Sequence, residues 1–79
     1  MNPSPPGDTI LDIMSERGIS RRKLACMLDI SEKSVSHLLT GVFLIDNDMA
    51  WRLSTKLGST PDFWENREKN YRDALLEEE

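Results

Sequence analysis

Two serines, Ser20 and Ser31, divide the segment SRRKLACMLDISEKSVSHLLTG into two short helical phrases, and Gly41 closes the second. A serine hydroxyl just ahead of a helix accepts from one of its orphan N–H groups. In the first phrase Leu24, Ala25 and Leu28 fall on one face. In the second Val35, Leu38 and Leu39 do so, while Glu32, Lys33, Ser36 and His37 point away from it. The first helix must end by Asp29-Ile30, which leaves only a tight turn before Ser31. Two short helices joined this way, the second presenting short polar and charged side chains, have the sequence form of a helix-turn-helix.

The flanks punctuate in the same manner. Ile10, Leu11, Ile13 and Met14 recur at helical spacing, and Gly18 stops that helix as a C-cap residue. Asp46 or Asn47 opens a fourth helix that lines up Ala50, Leu53 and Leu57 and ends at Gly58. Thr60-Pro61 restarts the chain, with proline at the first helical position, and Trp64, Glu68, Tyr71 and Leu75 share one side of the fifth helix. Val42 to Ile45 is β-prone but isolated, so it reads as a loop whose apolar residues pack on the bundle. The expected fold is all-α with five helices. Residues 1–6, rich in proline, read as a flexible N-terminal arm, residues 7–76 as the domain, and residues 77–79 as an acidic tail.

Seventy-nine residues make one small domain, whose modest core a partner subunit often completes. The longest apolar run, Val42-Phe43-Leu44-Ile45, is far too short to span a bilayer, and no basic start leads into an apolar signal segment, so the expectation is a cytosolic protein with no membrane partner. Cys26 and His37 are each the only residue of their kind, which rules out an intrachain disulfide and leaves no spacing for a zinc site. There is no nucleophile elbow, P-loop or dinucleotide-binding turn. Glu68 and His37 as an acid and base would lack any further site residue. No enzyme activity, catalytic residue, metal or cofactor is expected.

A net charge of −4 looks hostile to nucleic acid until it is placed along the chain. Residues 1–30 balance Arg17, Arg21, Arg22 and Lys23 against Asp8, Asp12, Glu16 and Asp29, and residues 31–45 balance Lys33 against Glu32. The whole excess lies in residues 46–79. Phosphate binding depends on the local field, because salt screens charges beyond about 8–10 Å. Acidity therefore does not veto DNA.

The stretch ISRRKLACMLDISEKSVSHLLTG resembles the XRE-type helix-turn-helix of phage repressors, with Leu24-Ala25, Ile30, Ser31, Val35 and Gly41 at that family's spacing. The flanks PPGDTILDIM and DNDMAWRLSTKLGSTPDFWENREKNY are similar to those of the HigA antitoxin branch. A similar domain also precedes ImmA/IrrE-type peptidases. The resemblance implies a lambda-repressor-like domain that binds double-stranded DNA as a homodimer on a palindromic operator, represses its own operon and neutralises a HigB-type ribonuclease toxin. Carried over by position, Arg21 at the start of the second helix would hold a phosphate, and the cluster of Arg21, Arg22 and Lys23, which opposes the helix macrodipole, favours phosphate contact as well. Glu32, Lys33, Ser36 and His37 would reach base edges, with Ser31 and Ser34 near the DNA backbone.

Where relatives often carry Arg, Lys or Gln, this chain has Glu32 and His37, and after the glycine it has Val42 and Phe43 in place of basic residues. A glutamate can accept from cytosine N4 but meets phosphate repulsion, so binding weaker and more salt-limited than in a basic relative is expected. The same exposed charges would serve an ordinary solvated helix face. The competing reading is a protein-interaction module that binds a toxin or other partner with a weakened DNA face. Phe63, Trp64 and Tyr71 are expected in the core or a dimer contact, Phe43 and Trp51 suit a dimer contact, and Cys26 is expected to fill the core.

Overall fold

The computed structural model describes residues 4–77, which form five helices and no strand: α1 (Pro6–Arg17), α2 (Arg21–Leu28), α3 (Glu32–Thr40), α4 (Asn47–Leu57) and α5 (Pro61–Glu77). The serine and threonine punctuation works as the sequence suggests. Ser20 Oγ accepts from Lys23 N–H and Ser31 Oγ from Ser34 N–H, each at 3.0 Å. Asp46 Oδ1 accepts from Met49 N–H at 2.8 Å, and Thr60 Oγ1 from Phe63 N–H at 3.1 Å. Each cap satisfies one orphan donor and contributes about 1 kcal/mol.

The core is a single cluster to which every helix contributes. Ile10 of α1, Leu24 and Leu28 of α2, Val35 and Leu38 of α3, Leu53 of α4 and Trp64 of α5 are all essentially inaccessible to solvent. Trp64 carries the largest of these side chains, and its one polar group is satisfied because the indole N–H donates to Gly58 O at 3.1 Å. Gly7 explains how closely α1 lies against α3. A Cβ at that position would stand 2.0 Å from Leu39 O, inside any possible contact, so only glycine lets the two backbones approach.

The fold corrects several expectations. The N-terminal arm does not extend through residue 6: Pro6 is the first helical residue of α1, and Ser4 and Pro5 are held by Arg67 of α5. Proline suits that helix position because its missing N–H would have been an orphan. Residues 1–3 of the arm, and Glu78 and Glu79 of the tail, lie outside the described residues, while Glu77 is the last residue of α5. Cys26 is exposed rather than a core filler. It sits two residues from both Leu24 and Leu28, about 200° around the helix from each, on the same outward side as Arg22. The loop after α3 packs only in part: Ile45 is buried and Phe43 rests on the core, whereas Val42 and Leu44 are exposed. Trp64 is core as expected, Tyr71 is half-buried, and Phe63 lies at the edge, its ring meeting Trp64 edge-on at 5.1 Å. Trp51 is 58% exposed.

Candidate nucleic-acid interface

α2 and α3 are joined by Asp29, Ile30 and Ser31. Reversing the chain in so few residues requires a left-handed residue, and Asp29 supplies it with φ 57°. Aspartate tolerates this region better than most side chains. Ile30 N–H then closes back on Ala25 O at 3.0 Å, and Ile30 itself packs against the core. α4 braces the turn from behind: the Arg52 guanidinium donates to Leu28 O at 2.9 Å and pairs with Asp48 at 3.0 Å. One of the carbonyls left open at the end of α2 is thereby satisfied. Sequence reasoning missed Arg52, whose partner lies 24 residues away; only its spacing from Asp48 marked it as part of a pair.

The far end of α3 is pinned to α5. Gly41 caps α3 with φ 86°, and Tyr71 packs so tightly there that a Cβ on Gly41 would lie 2.9 Å from its hydroxyl. Arg72 donates to Gly41 O, stands 4.9 Å over the Tyr71 ring, and pairs with Glu68 through Nε at 2.7 Å. Tyr71 and Arg72 of α5 thus hold the end of α3, and Glu68 steadies Arg72. Glu68 Oε1 is buried and has no hydrogen-bond partner among the described residues.

On this rigid support the two helices present their free face. Arg21, Arg22 and Lys23 are exposed at the start of α2, and none of their side chains makes a hydrogen bond or ion pair among the described residues. Basic side chains at a helix N-terminus oppose the macrodipole, so their cluster does nothing for α2 itself. On α3, Glu32, Lys33 and His37 are exposed and Ser36 is half-buried, and these four side chains are likewise unbonded among the described residues. Thr40, at the end of the same face, turns its hydroxyl inward to Ser36 O and His37 O, at 3.1 and 3.2 Å.

The serines of the turn behave differently from one another. Ser31 Oγ accepts from Ser34 N–H and donates its own proton to Ser34 Oγ at 3.0 Å, so it has no hydrogen left for a phosphate. Ser34 keeps its hydroxyl hydrogen. All eight expected DNA-contacting positions lie in the α2–α3 unit; Ser31 is engaged in the cap, and the other seven side chains keep unused donors or acceptors among the described residues.

No family model matches the chain. Over 61 residues, 77% of its length, it is 38% identical to an uncharacterised HTH-type transcriptional regulator, YddM, of Escherichia coli strain K12, and spans 65% of that protein. It also superposes on the solved structure of an addiction module antidote protein of the HigA family from Coxiella burnetii. The TM-score is 0.85 at 31% identity, covering 96% of this chain and 84% of that one. The chain belongs to the HigA family. Its fold is the all-α helix-turn-helix fold of that HigA antidote, and the five helices match the expectation drawn from the sequence. Within this HigA-family framework the acidic Glu32 and the apolar Val42 and Phe43 stand beside an otherwise open, partly basic face. No helix among the described residues is long and apolar enough to cross a membrane.

Proposed function

We propose that this HigA-family protein is a sequence-specific DNA-binding transcriptional repressor and the antidote of an addiction module. Two chains associate as a homodimer on a palindromic operator, and each α3 enters a major groove, with half-sites about one helical turn apart. Arg21 and Arg22 hold phosphates. Lys33, Glu32, Ser36 and His37 reach base edges, and Ser34, placed by the Ser31 cap, donates its free hydroxyl to the DNA backbone. The bound dimer occludes the promoter of its own operon, and the protein also neutralises a HigB-type ribonuclease toxin in the cytosol.

The observation that carries this reading is the face of α2 and α3, where Arg21, Arg22, Lys23, Lys33 and His37 are exposed and unbonded among the described residues. The likeness to an HTH-type transcriptional regulator and to an addiction module antidote supports it. The test is a gel shift over a salt series with the DNA immediately upstream of the gene. Selective binding whose affinity falls steeply with salt is expected, since each neutralised phosphate releases counterions. No binding at low salt would sink the repressor reading.

A second reading, a protein-interaction module with a weakened DNA face, is favoured by Val42 and Leu44, which are 68% and 62% exposed directly after α3. In that case partner binding would show little salt dependence, because contacts to a toxin release no condensed counterions.

A further inference from the structure

We infer that the operator half-site presents a cytosine to Glu32 and a guanine to Lys33 on neighbouring base pairs, and that Glu32 is the residue that selects the cytosine. This rests on the DNA-binding reading above. Glu32 and Lys33 are the first two residues of α3, both exposed and both unbonded among the described residues. Their chemistries are opposite and exclusive: an ionised carboxylate only accepts, and an ammonium only donates. Ser31 cannot soften this choice from the preceding position, because its hydroxyl proton is committed to Ser34 Oγ.

In the major groove, guanine shows two acceptors and thymine an acceptor beside a methyl group, and both repel a carboxylate. Adenine sets its N6 donor beside the N7 acceptor, so a carboxylate gains one contact and is repelled by the next. Cytosine N4 has an acceptor on one flank only, O6 of the paired guanine, with C5–H on the other, whereas adenine N6 stands between its own N7 and thymine O4. Lys33, by the same reasoning, seeks the O6 and N7 acceptors of guanine. The glutamate that makes this face unusual for a DNA reader is therefore a filter, lowering affinity for most sequences and sparing the few that offer a donor at that place.

The experiment is selection by the full chain from a pool of randomised duplexes, followed by affinity measurements on the enriched site and its single-base variants. Wild type should enrich cytosine next to guanine, and replacing that cytosine with thymine should weaken binding roughly tenfold. Glu32→Gln should move the preference at that one position from cytosine to adenine, whose donor and acceptor pair an amide matches, and should raise affinity for random DNA. Lys33→Ala should lose the guanine preference and keep the cytosine. Matching melting curves establish that each variant is folded. If wild type selects sites but Glu32→Gln selects the same base at every position, or the enriched sites lack the cytosine, the inference is overturned while the DNA reading stands. If wild type selects nothing at low salt, the DNA reading fails and the inference with it.

Discussion

The α2–α3 unit and the contact between α1 and α5 use polar side chains in opposite ways. Between α1 and α5 the polar groups are turned inward. Arg67 donates to Thr9 Oγ1 at 3.1 and 3.2 Å, to Ser4 O at 3.2 Å and to Pro5 O at 3.0 Å, while Glu68 and Arg72 pair with each other. On the α2–α3 face Arg21, Arg22, Lys23, Glu32, Lys33 and His37 take no such partner among the described residues. Charge of the same kind is a fastening in one region and an open hand in the other. What separates them is whether neighbouring elements supply acceptors, and that can be tested by removing one group at a time.

The largest effect should come from the shared core beneath both regions. Trp64→Ala should cost about 3–5 kcal/mol, the lost burial plus the cavity, as read by chemical denaturation. Gly7→Ala should cost about 1–3 kcal/mol or more, because its methyl meets the Leu39 carbonyl, which belongs to backbone and yields only by shifting α1. Arg67→Ala should follow at roughly 1–3 kcal/mol, since it strips a guanidinium from several acceptors at once. Ser31→Ala should lose about 1 kcal/mol through the missing cap, and if Ser34 is then misplaced, DNA binding weakens as well. Arg21→Ala and Lys33→Ala should leave stability within about 0.5 kcal/mol. On the proposed DNA-binding reading, Arg21→Ala should weaken binding to all DNA alike and lower the salt slope by about 1, whereas Lys33→Ala should relax the choice of operator. A melting loss for Lys33→Ala as large as that for Arg67→Ala would erase the contrast between the two regions.

The elements that were legible in the sequence are those whose cause is local. Ser20, Ser31, Asp46 and Thr60 cap helices by reaching three residues along the chain, and each was readable from its own neighbourhood. The inward stripes of α2 and α3 follow from helical spacing in the same way. Cys26 was misplaced because residue preference was allowed to outweigh position, although its angle from Leu24 and Leu28 already turned it outward. Gly7, Arg52 and Arg67 owe their importance to partners brought close only by the fold, and no pattern along the chain announces such a partner. On the candidate interface, the outward placement of Glu32, Lys33 and His37 was readable, but the spent hydroxyl of Ser31 was not, since it depends on the rotamer of Ser34.

The Arg67 clasp has a kinetic meaning beyond its contribution to stability. It joins groups 58 to 63 residues apart, so it can form only once nearly the whole chain has been gathered, whereas the caps of α2 and α3 close over three residues. Loop-closure entropy grows with separation, and contacts absent from the transition state govern how fast a native protein opens rather than how fast it forms. Arg67 is in that sense a latch. Arg67→Ala should therefore speed unfolding more than it slows folding, as read from the two limbs of a denaturant chevron.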